Sequence, residues 1–221
     1  MHINLQRLNL VKNKINEIID KKQLNTDPKI IAVTKTFPLT LVTPLLEAGH
    51  IHFGENKIQE AEEKWLEAKN NYKNFKLHMV GSLQTNKAKK AVKLFDYIHS
   101  LDNTKLAKKI SYYENELNKK TKIFIQVNVS KEDKKSGIAP NDIESFYKYC
   151  TKELSLNIIG LMCLPPKNSD SDSYFQLLKS TSMKLNLTDL SMGMSADYEK
   201  AVYNGSTYLR LGEAIFGKRT L

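Results

Sequence analysis

The sequence predicts an α/β fold, a (β/α)8 barrel of the TIM type, with one extra helix ahead of it. Three observations lead there. Short apolar runs of strand length alternate with segments of helical spacing, the alternation repeats eight times, and no linker or internal repeat divides the 221 residues. Such alternation implies βαβ units on a parallel sheet, and eight right-handed units close into a barrel. A doubly wound open sheet is the rival, but it calls for a glycine-rich turn after the first strand, and none follows here. Residues 1–221 are expected to form one domain, with residues 1–24 as a helix packed on the barrel.

The elements justify themselves in order. Ile3, Leu5, Leu8, Val11, Ile15, Ile18 and Ile19 recur at helical spacing and mark the opening amphipathic helix. The first strand is expected at Ile30–Thr36, followed by a helix at Leu39–Ala48. The second is His50–Gly54, with a helix at Lys57–Lys69 whose Ile58, Ala61, Trp65 and Ala68 share one face. Leu77–Leu83 and Tyr97–Leu101 come next, with helices at Thr85–Phe95 and Thr104–Asn118. Lys122–Val129 and Ile158–Leu164 are joined through Asn141–Leu154. Leu190–Met194 and Tyr208–Leu211 complete the set, with helices at Ser173–Leu185 and Ala196–Asn204. The most linker-like stretch, Pro165–Ser173, is too short to separate domains.

Composition narrows the class of function. A 41% hydrophobic, 26% charged chain with mean hydropathy −0.45 is neither disordered nor collagenous. It has no apolar run long enough to span a bilayer and no secretory leader pattern at its start. Cys150 and Cys163 do not make a disulfide framework, so a reducing cytoplasm is the expected home. The formal charge is +10, with 34 Lys and Arg of which only Arg7, Arg210 and Arg219 are arginine. Pairs such as Lys89-Lys90, Lys108-Lys109, Lys119-Lys120 and Lys134-Lys135 are spread along the chain. A nucleic-acid reader clusters arginine and aromatics on one face, so neither nucleic acid nor membrane is expected as a partner.

In barrels of this kind chemistry sits where the strands end. Those ends read Lys35, Gly54-Glu55-Asn56, Gly81-Ser82, Asp102, Asn128, Met162-Cys163, Met194-Ser195 and Arg210-Leu211-Gly212. Lys35 is either a rim lysine reaching water or a partly desolvated amine able to form a Schiff base with an aldehyde. Ser195 stands where the next helix begins, as an N-cap or as a member of a phosphate seat made by helix N–H groups. Gly212, without a Cβ, lets an anion approach the main chain closely, and the loops after strands seven and eight are the usual phosphate seat of the fold. Arg210, an arginine inside a strand of a lysine-rich chain, needs a partner: an ion pair within the barrel, or a bound ring nitrogen or carboxylate.

The stretches Ala32-Val-Thr-Lys35-Thr, Phe53-Gly-Glu-Asn56-Lys-Ile-Gln-Glu60, His78-Met-Val-Gly-Ser-Leu-Gln-Thr-Asn86-Lys87, Gln126-Val-Asn-Val129 with Lys135-Ser-Gly-Ile138, Gly160-Leu-Met162, and Leu190 to Ser195 on through Phe216-Gly217 fall in order along nearly the whole chain. Together they resemble the pyridoxal phosphate homeostasis proteins. The resemblance implies a barrel like the N-terminal domain of alanine racemase, holding pyridoxal 5'-phosphate as an internal aldimine on Lys35. It implies that Asn56 lies beside the cofactor and that Ser195 with the N–H groups of Gly212 and Glu213 holds the phosphate, helped by the amide of Ala196. Arg210 would face the pyridine nitrogen, where a permanently charged donor disfavours ring protonation and weakens the ring as an electron sink.

Three positions depart from the pattern. Glu213 replaces a small hydroxyl residue, so only its backbone contact carries over; Thr34 replaces a common Ser, and Leu77 a frequent aromatic. The implied role is buffering or delivery of the cofactor, with PLP-dependent apo-enzymes as partners, in a monomer without robust turnover. The alternative is an amino-acid racemase, which needs acid–base groups on both faces of the bound substrate. In the racemases that share this barrel a tyrosine from a further domain supplies the second face, and eight βα units use up this chain through Leu221. Tyr112, Tyr113 and Tyr147 fall in helical segments, His78 reads as a core hydrogen-bonding residue, and Cys163 as a small buried hydrophobe.

Overall fold

The computed structural model describes residues 1–130, 136–166 and 169–218, and it gives the Glu67 backbone without its side chain. Lys134, Lys135 and Arg219, and some of the Pro165–Ser173 stretch, fall outside the described residues. The order is α1 (Ile3–Lys22), β1 (Lys29–Val33), α2 (Leu39–Glu47), β2 (His52–Glu55), α3 (Ile58–Asn71), β3 (Lys76–Met79), α4 (Ala88–Leu94), β4 (Tyr97–Leu101), α5 (Thr104–Glu116) and β5 (Lys122–Val127). Then come α6 (Ile143–Lys148), β6 (Ile158–Cys163), α7 (Ser171–Lys184), β7 (Asp189–Met194), α8 (Tyr198–Tyr203), β8 (Tyr208–Leu211) and α9 (Glu213–Phe216). The eight strands pair in sequence order, all parallel, and β1 closes on β8 with Ile31 opposite Arg210. This is the (β/α)8 barrel that the alternation predicts.

Period-two alternation sorts each strand into two cores. Ile30, Ala32, Phe53, Leu77, Leu209 and Leu211 point outward into the large core under the helices, where Trp65 of α3 and Phe175 of α7 are fully buried. Ile31, Val33, Val80, Tyr97, Phe124, Met162 and Tyr208 form a separate cluster inside the barrel. Helix α1 buries Leu8, Val11, Ile15 and Ile18 against α2, α8 and α9. Asn4 anchors its start by donating to the Leu41 carbonyl at 3.0 Å.

Several segments differ from the sequence expectation: the strands expected to reach Leu83 and Val129 end at Met79 and Val127, and the helix expected from Thr85 opens as a 3-10 turn at Thr85–Lys87. The strand expected to run to Thr36 ends at Val33, and the helix expected over Asn141–Leu154 is three pieces: a 3-10 turn at Pro140–Asp142, α6, and a π-helical turn at Tyr149–Glu153. Proline at position 140 suits the tight opening turn, and the π turn ends with the Leu154 N–H donating to the Tyr149 carbonyl at 3.3 Å. Gly160 on β6 is a forced choice, since a Cβ there would lie 2.0 Å from the Asp189 carbonyl oxygen of β7.

Candidate functional site

The chain turns sharply after β1. The Phe37 N–H donates to the Thr34 carbonyl at 3.1 Å, and Thr36 sits at φ +67, the third position of a type II turn, where glycine is favoured. A β-branched residue held there is strained. The turn presents Lys35, half-buried, to a cavity at the C-terminal mouth of the barrel. Thr34 fixes the turn from below: its N–H donates to the Gly54 carbonyl at 2.9 Å and its hydroxyl to Glu55 Oε1 at 2.6 Å.

Glu55 is fully buried at the end of β2, so its charge must be met inside the protein. Lys64 Nζ lies 2.8 Å from Oε1, and Trp65 Nε1 donates to the same oxygen at 2.9 Å. Lys64 also donates to the Thr34 carbonyl at 2.6 Å. One carboxylate thus ties α3 to the turn that bears Lys35. From the other side Phe37 stacks on Phe216 of α9, ring centres 4.9 Å apart.

The cavity has a volume of about 1150 Å³ and is lined by Lys35, Asn56, Ser195, Arg210, Gly212 and Glu213 among others. All six residues that the sequence points to therefore meet at one place. Asn56 is held from behind, because the chain crosses it at Gly81, where a Cβ would stand 2.3 Å from the Asn56 carbonyl oxygen. Ser195 follows β7 but does not cap α8, whose first turn is preceded by Asp197. Its hydroxyl instead accepts from the Ala214 N–H at 3.0 Å, joining the β7 and β8 loops. Helix α9 closes with the Ile215 and Phe216 N–H groups donating to the Gly212 carbonyl. The Gly212 and Glu213 N–H groups, at the N-cap and the first position of the helix, have no intrahelical acceptor. The Glu213 side chain is exposed.

Arg210 is 5% exposed. Neither a carboxylate nor any other ion-pair partner meets it among the described residues. Nη1 donates to Ser191 Oγ at 2.7 Å and Nη2 to the Cys163 carbonyl at 2.9 Å, and the remaining donors of the fork have no acceptor among the described residues. Burial pulls its pKa downward. The Cys163 thiol is buried outside the cavity lining, and burial pushes it up to about 12. Asp102 also stays out of the lining.

Below Arg210 the barrel interior holds a set of groups that strand-end reasoning does not reach. His99 Nδ1 is 2.8 Å from Ser191 Oγ, His99 Nε2 is 2.9 Å from His78 Nδ1, and His78 Nε2 is 2.9 Å from His52 Nδ1. His78 stacks on Tyr97 at 4.1 Å and His99 on Phe124 at 4.4 Å. Burial holds His78 and His99 well below the ordinary imidazole range. Burial first, then Lys29, brings His52 down to about 4; burial, then Lys12, does the same for His50. The signal for this column in the sequence is polar residues on inward-facing strand positions, of which His78 alone reads there as a core hydrogen-bonding residue. Gln126, Asn128, Ser130 and Ser136 also line the cavity; of these, no strand-end argument assigns a role to any.

Residues 7–220 match the alanine racemase N-terminal domain family. A pyridoxal phosphate homeostasis protein of Haemophilus influenzae is 32% identical over 98% of this chain and 97% of its own length. The structure of PipY from Synechococcus elongatus PCC7942 with PLP bound superposes with a TM-score of 0.82 at 33% identity, covering 92% of this chain and all of that one. Alanine racemase of Clostridium difficile 630 gives a TM-score of 0.72 at 14% identity, over 99% of this chain but 58% of the racemase, and shows a shared fold alone. The chain belongs to the pyridoxal phosphate homeostasis protein family, on the barrel of the alanine racemase N-terminal domain.

Proposed function

We propose that this chain binds pyridoxal 5'-phosphate at the C-terminal mouth of the barrel and serves cytoplasmic homeostasis of that cofactor by holding it and releasing it to PLP-dependent apo-enzymes. The observation that carries the reading is the meeting of an amine, an anion seat and a buried guanidinium around one cavity. The donor set fits the group. Phosphate is a dianion, and the Ser195 hydroxyl with the Gly212 and Glu213 N–H groups offers donors to it without a buried carboxylate. The amide of Ala196, also in the lining, adds to that set.

Lys35 is the residue for a covalent Schiff base to the aldehyde, Asn56 lies beside the ring, and Arg210 aims its uncommitted donors at the pyridine nitrogen. When bound, the cofactor supplies an electrophilic carbonyl carbon and a ring able to draw electrons. A guanidinium cannot give up its proton to the ring, so the protein holds the cofactor in a weakly activating state. The titratable side chains of the described cavity lining are Lys35, Arg210, Glu213 and Lys218. That set supports carriage over racemisation, which calls for a second acid–base group opposite the lysine. We further propose that residues 1–221 act as one domain, and as a monomer.

The test is direct. Purified protein mixed with pyridoxal phosphate should turn yellow, and borohydride should fix the adduct to Lys35, read by peptide mass. Lys35→Ala should abolish the fixed adduct, and alanine should not racemise at an enzymatic rate. A colourless protein, or an adduct retained at that site in Lys35→Ala, would overturn the assignment.

A further inference from the structure

The cavity floor is connected to the opposite mouth of the barrel by side chains in unbroken hydrogen-bond contact, from Arg210 through Ser191, His99 and His78 to His52. We propose that these four residues position Arg210: they form a chain of one fixed polarity, every proton directed away from the guanidinium, which holds Arg210 in the cavity floor as a cation without a carboxylate partner.

The polarity follows from counting protons. A guanidinium only donates, so Ser191 Oγ accepts from Arg210. Ser191 is fully buried, and among the described residues its hydroxyl proton has one remaining acceptor in reach, His99 Nδ1 at 2.8 Å. A neutral imidazole that accepts at Nδ1 carries its proton on Nε2. His99 therefore donates to His78 Nδ1, and His78, by the same step, donates to His52 Nδ1. In the reverse polarity Ser191 would accept twice and leave its own proton unpaired in an apolar interior, a costly arrangement. A second proton on His78 would set its Nδ1–H against the His99 Nε2–H, and one on His99 would set its Nδ1–H against the Ser191 hydroxyl proton.

The far end is built to stay uncharged as well. Lys29 of β1, Lys76 of β3 and Lys122 of β5 face His52 against the single carboxylate of Asp96. The Tyr97 and Tyr208 rings pack beside it, with His78 above and His50 Nε2 in contact with the His52 carbonyl, 2.9 Å away. Lys29 and Lys122 are turned onto the Tyr208 and Tyr97 hydroxyls at 3.2 and 3.4 Å. At the near end Arg210 itself is the charge facing His99.

The arrangement does what a buried carboxylate would not. A carboxylate would take the fork in a bidentate pair and turn its donors down into the barrel. A neutral hydroxyl and the Cys163 carbonyl take one N–H each and leave the rest of the fork to the cavity, while the aligned dipoles below the hydroxyl oppose the buried positive charge. The consequence for a bound ring nitrogen rests on the reading of the cavity as a pyridoxal phosphate seat; the chain's polarity does not.

Imidazole nitrogen NMR on the full-length protein tests it. At pH 7, His78 and His99 should each show one neutral tautomer with the proton on Nε2, and Ser191→Ala should release His99 from that single tautomer while Ser191→Thr, which keeps Oγ, should preserve it. In the loaded protein, Ser191→Ala should weaken cofactor retention about tenfold, the effect of one lost charged hydrogen bond, and shift the pH midpoint of the cofactor's absorption band; Ser191→Thr should restore both. A proton on Nδ1 of His99, or a Ser191→Ala protein with unchanged tautomers and midpoint, overturns the proposal. Failure of the wild type to take up pyridoxal phosphate sinks the functional reading instead, and leaves the tautomer result to decide the chain.

Discussion

The two ends of one barrel are solved in opposite ways. At the C-terminal mouth the side chains stand apart around about 1150 Å³, and the Arg210 fork keeps donors without acceptors among the described residues. In the lower half the same strands supply His52, His78, His99, Tyr97 and Tyr208, stacked ring on ring and bonded to one another with little room left. An interior must be filled or made to bind something, and a polar interior must satisfy itself. The lower half is self-satisfied and therefore rigid. The upper half leaves its polar capacity for a ligand, and that division lets a small barrel hold a site at an accurate geometry.

The comparison can be broken by acid. His78 and His99 are fully buried and His50 is half-buried, with pKa values held down chiefly by desolvation, His50 to about 4, whereas in the unfolded chain they take up protons near 6.5. The unfolded state therefore binds more protons below that pH. The stability is fully present above about 6.5 and is lost as pH falls toward the folded values, by up to ~4 kcal/mol per pH unit for three such groups. Urea midpoints measured from pH 7 to pH 5 should fall steeply, and a flat profile would mean that the column takes up protons while folded.

Glu55→Ala should show the next largest effect. It leaves Lys64 buried without its partner and strips the acceptor from Thr34 and Trp65, at a cost of about 3–5 kcal/mol. The turn bearing Lys35 loses its anchor as well, so the denaturation midpoint and cofactor uptake should drop together; a change confined to stability would separate the anchor from the site. Ser195→Ala acts on the upper end alone. Losing a hydroxyl that meets both the Ala214 N–H and the proposed phosphate should weaken binding by about 1–1.5 kcal/mol, read by equilibrium dialysis, with little change in folding. Smallest is Thr36→Gly, which relieves a positive φ. The gain should be about 0.5–1 kcal/mol after the entropy cost of glycine, and a loss would show that the Thr36 side chain contributes more than its backbone strain removes.

The strand count was legible because closed parallel barrels repeat their apolar signal, and each of the eight expected strands overlaps an observed one. The end of β1 was not, because the turn at Thr36 lacks the Gly or Asn that announces a positive φ. Five of the six cavity residues lie at or just past strand ends and Arg210 lies within β8, where the fold puts its chemistry. Their partners were another matter. Ser195 reads as a helix cap by its position, yet its hydroxyl serves α9 nineteen residues on. Ser191 meets His99 across ninety-two residues of chain, and no local pattern encodes a contact made by closure. For Arg210 the sequence left an ion pair or a bound ring as alternatives, and closure supplies a third answer, a serine and a carbonyl.

Cys163 lies at the end of β6, its carbonyl bonded to Arg210 and its thiol buried and pushed up to about 12. Toward an aldehyde, sulfur in its thiolate form is a strong competitor of nitrogen. By keeping this sulfur protonated and shut away from the lining, the barrel disarms a side chain near its floor that could divert a carbonyl compound into a thiohemiacetal, and leaves the amine of Lys35 as a nucleophile that the described cavity lining presents.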